Sequence, residues 1–542
     1  MDNERLENPP STPESTRQST DQSSTASASK HHHSPSDNQR VWFAFIALML
    51  TILMSSLGQM IFSTALPTIV GDLGGVELMT WVITSFMLAQ TIAMPIFGKL
   101  SDQMSRKHLL IGVIVVFIVG SIIGGFAQSM TMLIAARLVQ GAAGGGLMIL
   151  SQAITAEVVS ARDRGKYMGI MGAVFGVSSV LGPVLGGWFT DGPGWRWGLW
   201  LNVPLGIVAI AGIVYFLHDS GVRARVSVDV WGVLTMAVAT SSLILMSTWG
   251  GNTYEWSDPI IIALGISAAV FYVAFFFIER KVKDPLVPPS VFSVRNFNLT
   301  TLAGIATGVF MFGTLAYLPT YMQMVHMMSP TKAGLMMTPM MVGMLMTSTL
   351  VGNLVTRYGR YKWYPVVSMV GTFFAMVALS FMEPDTPLWV VGIMLLVLGA
   401  VLGIGMQILV LIVQNSFSLS QVGTATAANN FFRQIGGTLG SALVGGLFTG
   451  ALTDNLKERL PQAIAQLSPE VQQQMAQAGG GPAIENLTPG MLSGLPEAIQ
   501  LAVQQSYSDA LTPIFFILSP LALVAALILA FVKEEPLKTE IK

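Results

Sequence analysis

Of 542 residues, 52% are hydrophobic and 11% charged, with a formal net charge of −1 and a mean hydropathy of +0.62. Soluble domains carry about 25% charged residues, so this composition excludes an ordinary soluble protein and describes a polytopic membrane protein. The near-zero charge gives no sign of a nucleic-acid partner, and the absence of cysteine excludes disulfides, a thiol nucleophile and a thiolate metal site.

Residues 1–40 are rich in Ser, Thr, Asp, Glu and Pro and read as a disordered tail. Within it His31, His32 and His33 sit in too polar a setting to count as a metal site. The apolar run after Arg40 is followed by many more, so it reads as a first membrane helix and not a cleaved leader. Stretches long enough to cross a bilayer, about 20 residues each, fall near 42–69, 79–98, 109–127, 131–155, 166–189, 197–217, 229–249 and 259–278. A second set falls near 297–321, 332–355, 363–382, 388–413, 427–452 and 511–532, which makes fourteen.

Charge orients these spans. Lys99, Arg106 and Lys107 follow the second; Arg162, Arg164 and Lys166 the fourth; Arg223 and Arg225 the sixth. Arg280, Lys281, Lys283 and Arg295 follow the eighth, and Arg357, Arg360 and Lys362 the tenth. The intervening loops are poor in Lys and Arg, so the positive-inside rule predicts that both termini are cytoplasmic. The segment 453–510 then lies outside; rich in Gln, Ala and Pro, it reads as a tolerated insertion or a polar cap with short amphipathic helices.

An internal repeat divides the chain. GKLSDQMSRK at 98–107 and GNLVTRYGRYK at 352–362 each follow a span, with Gly98 matching Gly352, Leu100 matching Leu354 and Arg106 matching Arg360. GVSSVLGPVLGG in the fifth span is answered by GGTLGSALVGG at 436–446. Such repeats are expected of two bundles that rock around a central site. The predicted organisation is a tail (1–40), an N-terminal six-helix bundle (41–217), a linker with two spans (218–296), a C-terminal six-helix bundle (297–532) that includes the 453–510 loop, and a short tail (533–542).

Several residues carry chemistry. In the fifth span Gly165, Gly169, Gly172, Gly176, Pro183 and Gly187 recur on one helical face, a pattern that lets a neighbouring helix approach closely where lipid gives no hydrophobic drive. Gly98 permits a close approach beside Asp102, an acid that can pair with Arg106 or Lys107 or sit at a helix N-terminus. Arg137 lies several residues into the fourth span, with Gln140 and Gly141 on the next turn; a buried arginine costs at least ~2.5 kcal/mol on insertion scales, so it should face the bundle interior or a wet cavity. Neutral polar groups at Ser56, Gln59, Gln90, Gln152, Gln407, Gln414, Asn429, Asn430 and Gln434, with the charged Arg433, can hydrogen-bond a substrate or simply join helices; of these, Gln59, Gln90, Gln152, Gln407, Asn430 and Arg433 form the candidate substrate path. Methionines crowd residues 322–346, suiting either promiscuous apolar binding or gap-filling, and His326 in that region can titrate.

GKLSDQMSRK resembles motif A of the major facilitator superfamily, RLVQG at 137–141 its motif B, and GVSSVLGPVLGG its antiporter motif C. STALPTIVGDLGG at 63–75 and WRWGLWLNVPLG at 195–206 resemble the fourteen-span drug/proton antiporter branch. The resemblance covers residues 41–532. It implies an all-α membrane protein with two six-helix bundles and two linker helices, alternating access, and export of amphiphilic small molecules in exchange for protons across the plasma (inner) membrane, chiefly in bacteria. It assigns a conformational switch to Gly98, Asp102, Arg106 and Lys107, and the antiporter helix to Gly176, Gly182, Pro183, Gly186 and Gly187.

The chain departs from that pattern at Gly58, where LGQMIFSTALP replaces a form with an aspartate, and at Ser105, where motif A usually has a glycine that Gly359 keeps in the repeat. No Asp or Glu falls near mid-membrane in the predicted spans, leaving Glu157 as the candidate proton site, which would need a wet path. An acid-free cavity favours neutral or anionic substrates. No cofactor or metal is expected, and no grouping of nucleophile, base and acid points to an enzyme; GAAGGG at 141–146 lacks the Lys-Ser/Thr of a phosphate loop. Other readings of the same residues are a lipid, siderophore or metabolite exporter not driven by a first-span carboxylate, and a non-transporting membrane sensor or assembly partner.

Overall fold

The computed structural model describes residues 35–75, 78–219, 221, 227–251, 253–467, 492 and 494–537. Residues 1–34 with the three histidines, Arg223 and Arg225, and GGGP at 479–482 lie outside them. With no water in a bilayer core, every backbone amide and carbonyl needs an internal partner, which a helix supplies. Among the described residues, fourteen helices are long and apolar enough to cross a membrane, the number the sequence predicts.

The first half comprises α1 (Pro35–Met60), α2 (Phe62–Leu73), α3 (Met79–Gln103), α4 (Arg106–Gly125), α5 (Met130–Val158), α6 (Arg164–Asp191), α7 (Trp197–Trp200) and α8 (Asn202–Phe216). Then come α9 (Val230–Trp249) and α10 (Pro259–Lys281). The remainder is α11 (Arg295–Met324), α12 (Pro330–Leu335), α13 (Thr338–Tyr358), α14 (Trp363–Ser380), α15 (Leu388–Ser416), α16 (Val422–Ala465) and α17 (Glu497–Ala530). Local chemistry sets the ends. Ser129 caps α5 by accepting from Met132 N at 3.2 Å, Asp258 caps α10 through Ile260 N at 2.8 Å, and Gly359 closes α13 in the left-handed region at φ +70°.

α1, α3, α4, α5, α6 and α8 pack on one another, as do α11 and α13–α17. The two groups meet along two seams, α3 on α16 and α6 on α13. α9 and α10 pair with each other at the side, with α9 resting on α3 and α16. One large apolar core fills the second group, including Phe310, Leu395 and Phe515; smaller ones around Phe86, Phe117 and Leu147 and around Phe62, Leu133 and Leu199 fill the first.

Several element boundaries differ from the sequence expectation. The first span breaks at Ile61 into α1 and α2, and the tenth is preceded by the short α12. α16 runs 44 residues and α17 begins at Glu497, so much of the expected 453–510 loop is helix that continues two spans. Those extensions pack on each other through Leu456, Ala463, Ile499 and Val503, with Leu492 from between them, and an ion pair joins Arg459 to Asp509. The segment is polar on one side, which lowered its mean hydropathy and disguised it as a loop.

Candidate functional site

The seam between α3 and α16 lies at the end of the molecule that carries the Arg- and Lys-rich loops, here called the basic end. A Cβ on Gly98 would stand 2.3 Å from Ala427 Cβ and 2.9 Å from Gly423 O, so only glycine admits α16 this closely. One turn on, Asp102 reaches the start of α16: Oδ1 accepts from Gly423 N at 3.0 Å and Oδ2 from Thr424 N at 2.8 Å. A carboxylate there meets two unpaired amides and the positive end of the helix dipole.

Arg106, 1% exposed, binds the same carboxylate at 2.9 Å and Glu157 at 3.0 Å. It also donates to Ser101 O, Ala153 O and, across the seam, Leu419 O at 2.9 Å. Glu157, the acid singled out from sequence as a proton site, is therefore placed against a guanidinium. Lys107 caps the end of α8, donating to Val214 O at 2.9 Å and Leu217 O at 2.6 Å. Ser105, the departure from motif A, caps α4 and donates to Asp219, and this bond holds the exposed Asp219 carboxyl below its ordinary pKa.

The second seam is built from glycine. A Cβ on Gly165 would lie 2.9 Å from Gly352 O, one on Gly352 2.3 Å from Gly165 O, and one on Gly169 2.4 Å from Ser348 O. The expected single glycine face is divided between partners. Gly176 has Met341 O at an ordinary 3.6 Å, Gly182 turns to Met60, with Cβ–Cβ at 2.4 Å, and Gly187 has nothing within 4 Å. Gly186 is buried and Pro183 half-buried. α6 packs against α1 and α2 as well as α13, so its glycines do not share one partner.

Between the seams, at mid-height, a cavity of about 30 Å³ is lined by Ser55, Ser56, Gln59, Gln90, Gln152 and Gln407 together with Met148, Met171, Phe175 and Met406. Four of the six residues predicted for a substrate path, Gln59, Gln90, Gln152 and Gln407, thus converge. The other two stand behind them: Asn430 Nδ2 donates to Gln152 Oε1 at 2.9 Å, and Arg433 donates to Asn430. Gln414 Nε2 donates to Gln152 O at 3.3 Å, which makes this a neutral latch between the halves. Gln407 Oε1 and Arg433 Nη1 are buried without a hydrogen-bond partner. The space suits one water and not a drug-sized ligand, for which about 300–1,000 Å³ is usual. No charged side chain is in the described lining.

The methionine run sits mostly elsewhere. Met322, Met340 and Met341 pack in the large core, Met346 is 62% exposed, and Met344 joins Met311 and Met406 against Phe175. Burial pushes the His326 imidazole below its ordinary pKa, which favours the neutral ring.

Arg137 is fully buried but does not line the cavity. Nε donates to Val82 O at 3.2 Å and Nη1 to Gln140 Oε1 at 3.1 Å, while the guanidinium lies 4.3 Å and 4.2 Å from the ring centroids of Phe62 and Phe86. Gln140 passes the bond on to Ser121 at 2.7 Å, and Gly141 lets α5 meet the Phe86 backbone. A Cβ on Gly58 would stand 3.1 Å from the Phe117 ring and 3.8 Å from that same Phe86 ring. Aromatic faces therefore attend Arg137, and the space beside Gly58 is filled by carbon.

Sequence reasoning missed the partners on the far side of each seam. Gly423, Thr424 and Leu419 act through backbone atoms, which no residue type announces. Ser348 and Arg162, whose Nε donates to Thr356 O at 3.1 Å, were within reach of the repeat, since they flank Gly352 as the α16 start flanks Gly98.

Comparison with known proteins agrees with this geometry. Residues 48–441 match the Major Facilitator Superfamily. The chain is 33% identical over 469 residues to the Multidrug transporter protein MdtP of Bacillus subtilis, covering 86% of both chains. It is 33% identical over 488 residues to Multidrug resistance protein 3 of the same organism, covering 90% of this chain and 94% of that one. An uncharacterized MFS-type transporter of Mycobacterium tuberculosis is 37% identical over 493 residues, 91% of this chain and 69% of that protein. In fold, the chain resembles the human organic anion transporter MFSD10 (TM-score 0.60, 16% identity, 92% and 100% covered) and the proton:xylose symporter XylE (TM-score 0.59, 14% identity, 93% and 98% covered).

Proposed function

Since this chain belongs to the Major Facilitator Superfamily, we propose that it exports hydrophobic or amphiphilic small molecules by alternating access, in exchange for protons. The observation that carries this reading is the mid-height cavity, lined by neutral amides, hydroxyls, methionine and phenylalanine, and closed toward the basic end by two seams between the helix groups. Opening the seams from either side exposes the cavity in turn, with residues 41–217 and 297–532 as the moving bundles and 218–296 as the linker. We read that end and both termini as cytoplasmic, in a cell bounded by its plasma membrane, because the basic loops follow the positive-inside rule. With no carboxylate among the lining residues, nothing offsets a buried cation, so neutral and anionic amphiphiles are the favoured cargo.

Gly58 supports a second reading. The carbon-filled space beside it leaves the first span without a proton carrier, which fits a lipid, siderophore or metabolite exporter driven otherwise. One experiment separates the two. Purified protein in proteoliposomes with a trapped pH dye is given a pH gradient and a panel of cationic, neutral and anionic amphiphiles. Proton flux that rises with substrate flux supports antiport; substrate flux with no proton movement supports the second reading. Silence in both channels from folded protein removes export of these classes.

A further inference from the structure

The linker helices hold two carboxyls that no part of the transport path uses. Of the 23 residues of α10, three are buried: Ile261, Ala268 and Glu279. A glutamate is thus one of the few side chains this lipid-facing helix turns inward, and it is 4% exposed. Its Oε1 accepts from Leu286 N at 3.2 Å and its Oε2 from Val287 N at 2.7 Å. Both residues belong to the strap that joins α10 to α11. Leu286 packs with Met236 and Phe431, and Val287 with Phe297, Val413 and Ala425. Glu279 therefore fastens the strap where it meets α16.

Asp229 starts α9. Its Oδ1 accepts from Gly232 N at 2.9 Å, while Oδ2 is buried with no hydrogen-bond partner on a residue 8% exposed. A Cβ on Gly232 would stand 2.4 Å from Asp229 Oδ2 and 2.5 Å from Glu279 Oε1, so these oxygens are neighbours across a bare glycine. Acceptor faces acceptor. Among the described residues, the surrounding elements bring no cation to them: Arg280, Lys281 and Lys283 are exposed, as is the acid Asp284, and α16 contributes Phe431, Phe432 and Ile435. From α3 comes Gln103, whose side chain binds Ser227.

Two carboxylates so placed repel each other, which disfavours both being charged at once. One proton held between Asp229 Oδ2 and Glu279 Oε1 satisfies the orphan oxygen and removes the repulsion. We propose that Asp229 and Glu279 form a proton-binding site that holds one proton and, through it, fastens the linker hairpin to the strap behind the α3–α16 seam. When the proton leaves to water, two carboxylates face each other and the strap loosens. A metal ion fits worse: hard cations want about six oxygens, and here the amides of Leu286 and Val287 point their positive ends at the same carboxylate.

The chain has no cysteine, so a single introduced thiol reports on the strap. Val287→Cys places it at a buried position and Asp284→Cys at an exposed one. The ratio of their alkylation rates by a neutral maleimide cancels the thiol's own titration. With Asp229 present the ratio should rise several-fold as pH increases. With Asp229→Asn it should be flat, because the Asn amide donates to Glu279 in the proton's place. A flat ratio in the Asp229 background, or an unchanged slope in Asp229→Asn, overturns the proposal. So does a ratio set at fixed pH by sodium or calcium chloride, which would mark a metal site. Infrared spectroscopy of the unaltered chain in nanodiscs should show a protonated-carboxyl band at neutral pH that Asp229→Asn abolishes; its absence from the unaltered chain also overturns the proposal. None of these readouts requires transport, so they succeed or fail separately from the export reading.

Discussion

The two seams between the helix groups descend from one repeat and close by different chemistry. Gly98 and Gly352 occupy matching positions, and each lets its helix touch a partner backbone, Gly98 at Gly423 O and Gly352 at Gly165 O. One turn later they diverge. On α3 the acid Asp102 reaches the first amides of α16. On α13 the matching residue is Thr356, and the charge comes from the other side: Arg162 donates to the carbonyls of Thr356 at 3.1 Å and Arg357 at 3.3 Å. An anion at a helix N-terminus and a cation at a helix C-terminus both oppose the helix dipole. The steric device was kept on both sides, while the electrostatic one was inverted and, on α13, moved to the surface.

The largest effect should come from breaking what the seams share. Gly352→Leu drives a side chain into the Gly165 carbonyl, and overpacking typically costs 1–3 kcal/mol. That penalty falls only on the closed seam, so the upper end shifts the open–closed balance by roughly 100-fold. Efflux by Gly352→Leu, and equally by Gly98→Leu, should fall to near background at wild-type expression. Full activity in either would show that the close approach is incidental.

Next come the electrostatic devices, where the two seams should part. Asp102→Asn removes a buried charge that receives two amides and Arg106, and hydrogen bonds to charged groups are worth about 1.5–3 kcal/mol each. A tenfold or greater loss of efflux is expected. Arg162→Ala removes two exposed bonds, and exposed charged contacts contribute about 1 kcal/mol or less, so transport should drop no more than several-fold. Measured in the same vesicles, equal losses would refute the claim that burial separates the two. High salt should weaken the Arg162 contact and leave Asp102 little changed.

The fold was legible because fourteen apolar runs in alternation with basic loops leave few alternatives, and the matching glycines marked both seams. Asp102 and Arg106 were legible as a cluster, and Gln59, Gln90, Gln152 and Gln407 as polar groups that a membrane helix holds inward. What escaped was whatever depends on a backbone atom or a helix rotation. Gly423 and Thr424 serve through their amides, and α6 meets more than one helix, so Gly182 turns to Met60 while Gly187 has nothing within 4 Å. Glu279 escaped for a simpler reason. The eighth span was ended at residue 278, one position short of its buried acid, because hydropathy falls at a charge whether or not that charge is buried.

The smallest effects test the last difference between the repeats, Ser105 against Gly359. Gly359 sits at φ +70° and ends α13, so Gly359→Ser forces a side chain into the left-handed region, at about 1–2 kcal/mol. Ser105 is extended, at φ −61° and ψ 115°, and needs no glycine. What Ser105→Gly removes is a cap to His108 N at 3.4 Å and the bond to Asp219. Replacing a serine cap by glycine costs only a few tenths of a kcal/mol, and the Asp219 side is exposed to solvent. Thermal unfolding in detergent should therefore fall measurably for Gly359→Ser and barely for Ser105→Gly, with efflux unchanged in the latter. A large loss from Ser105→Gly would mean that the tie from α4 to the end of α8 helps hold Arg106 in place, which would make Ser105 part of the switch and not a tolerated departure beside it.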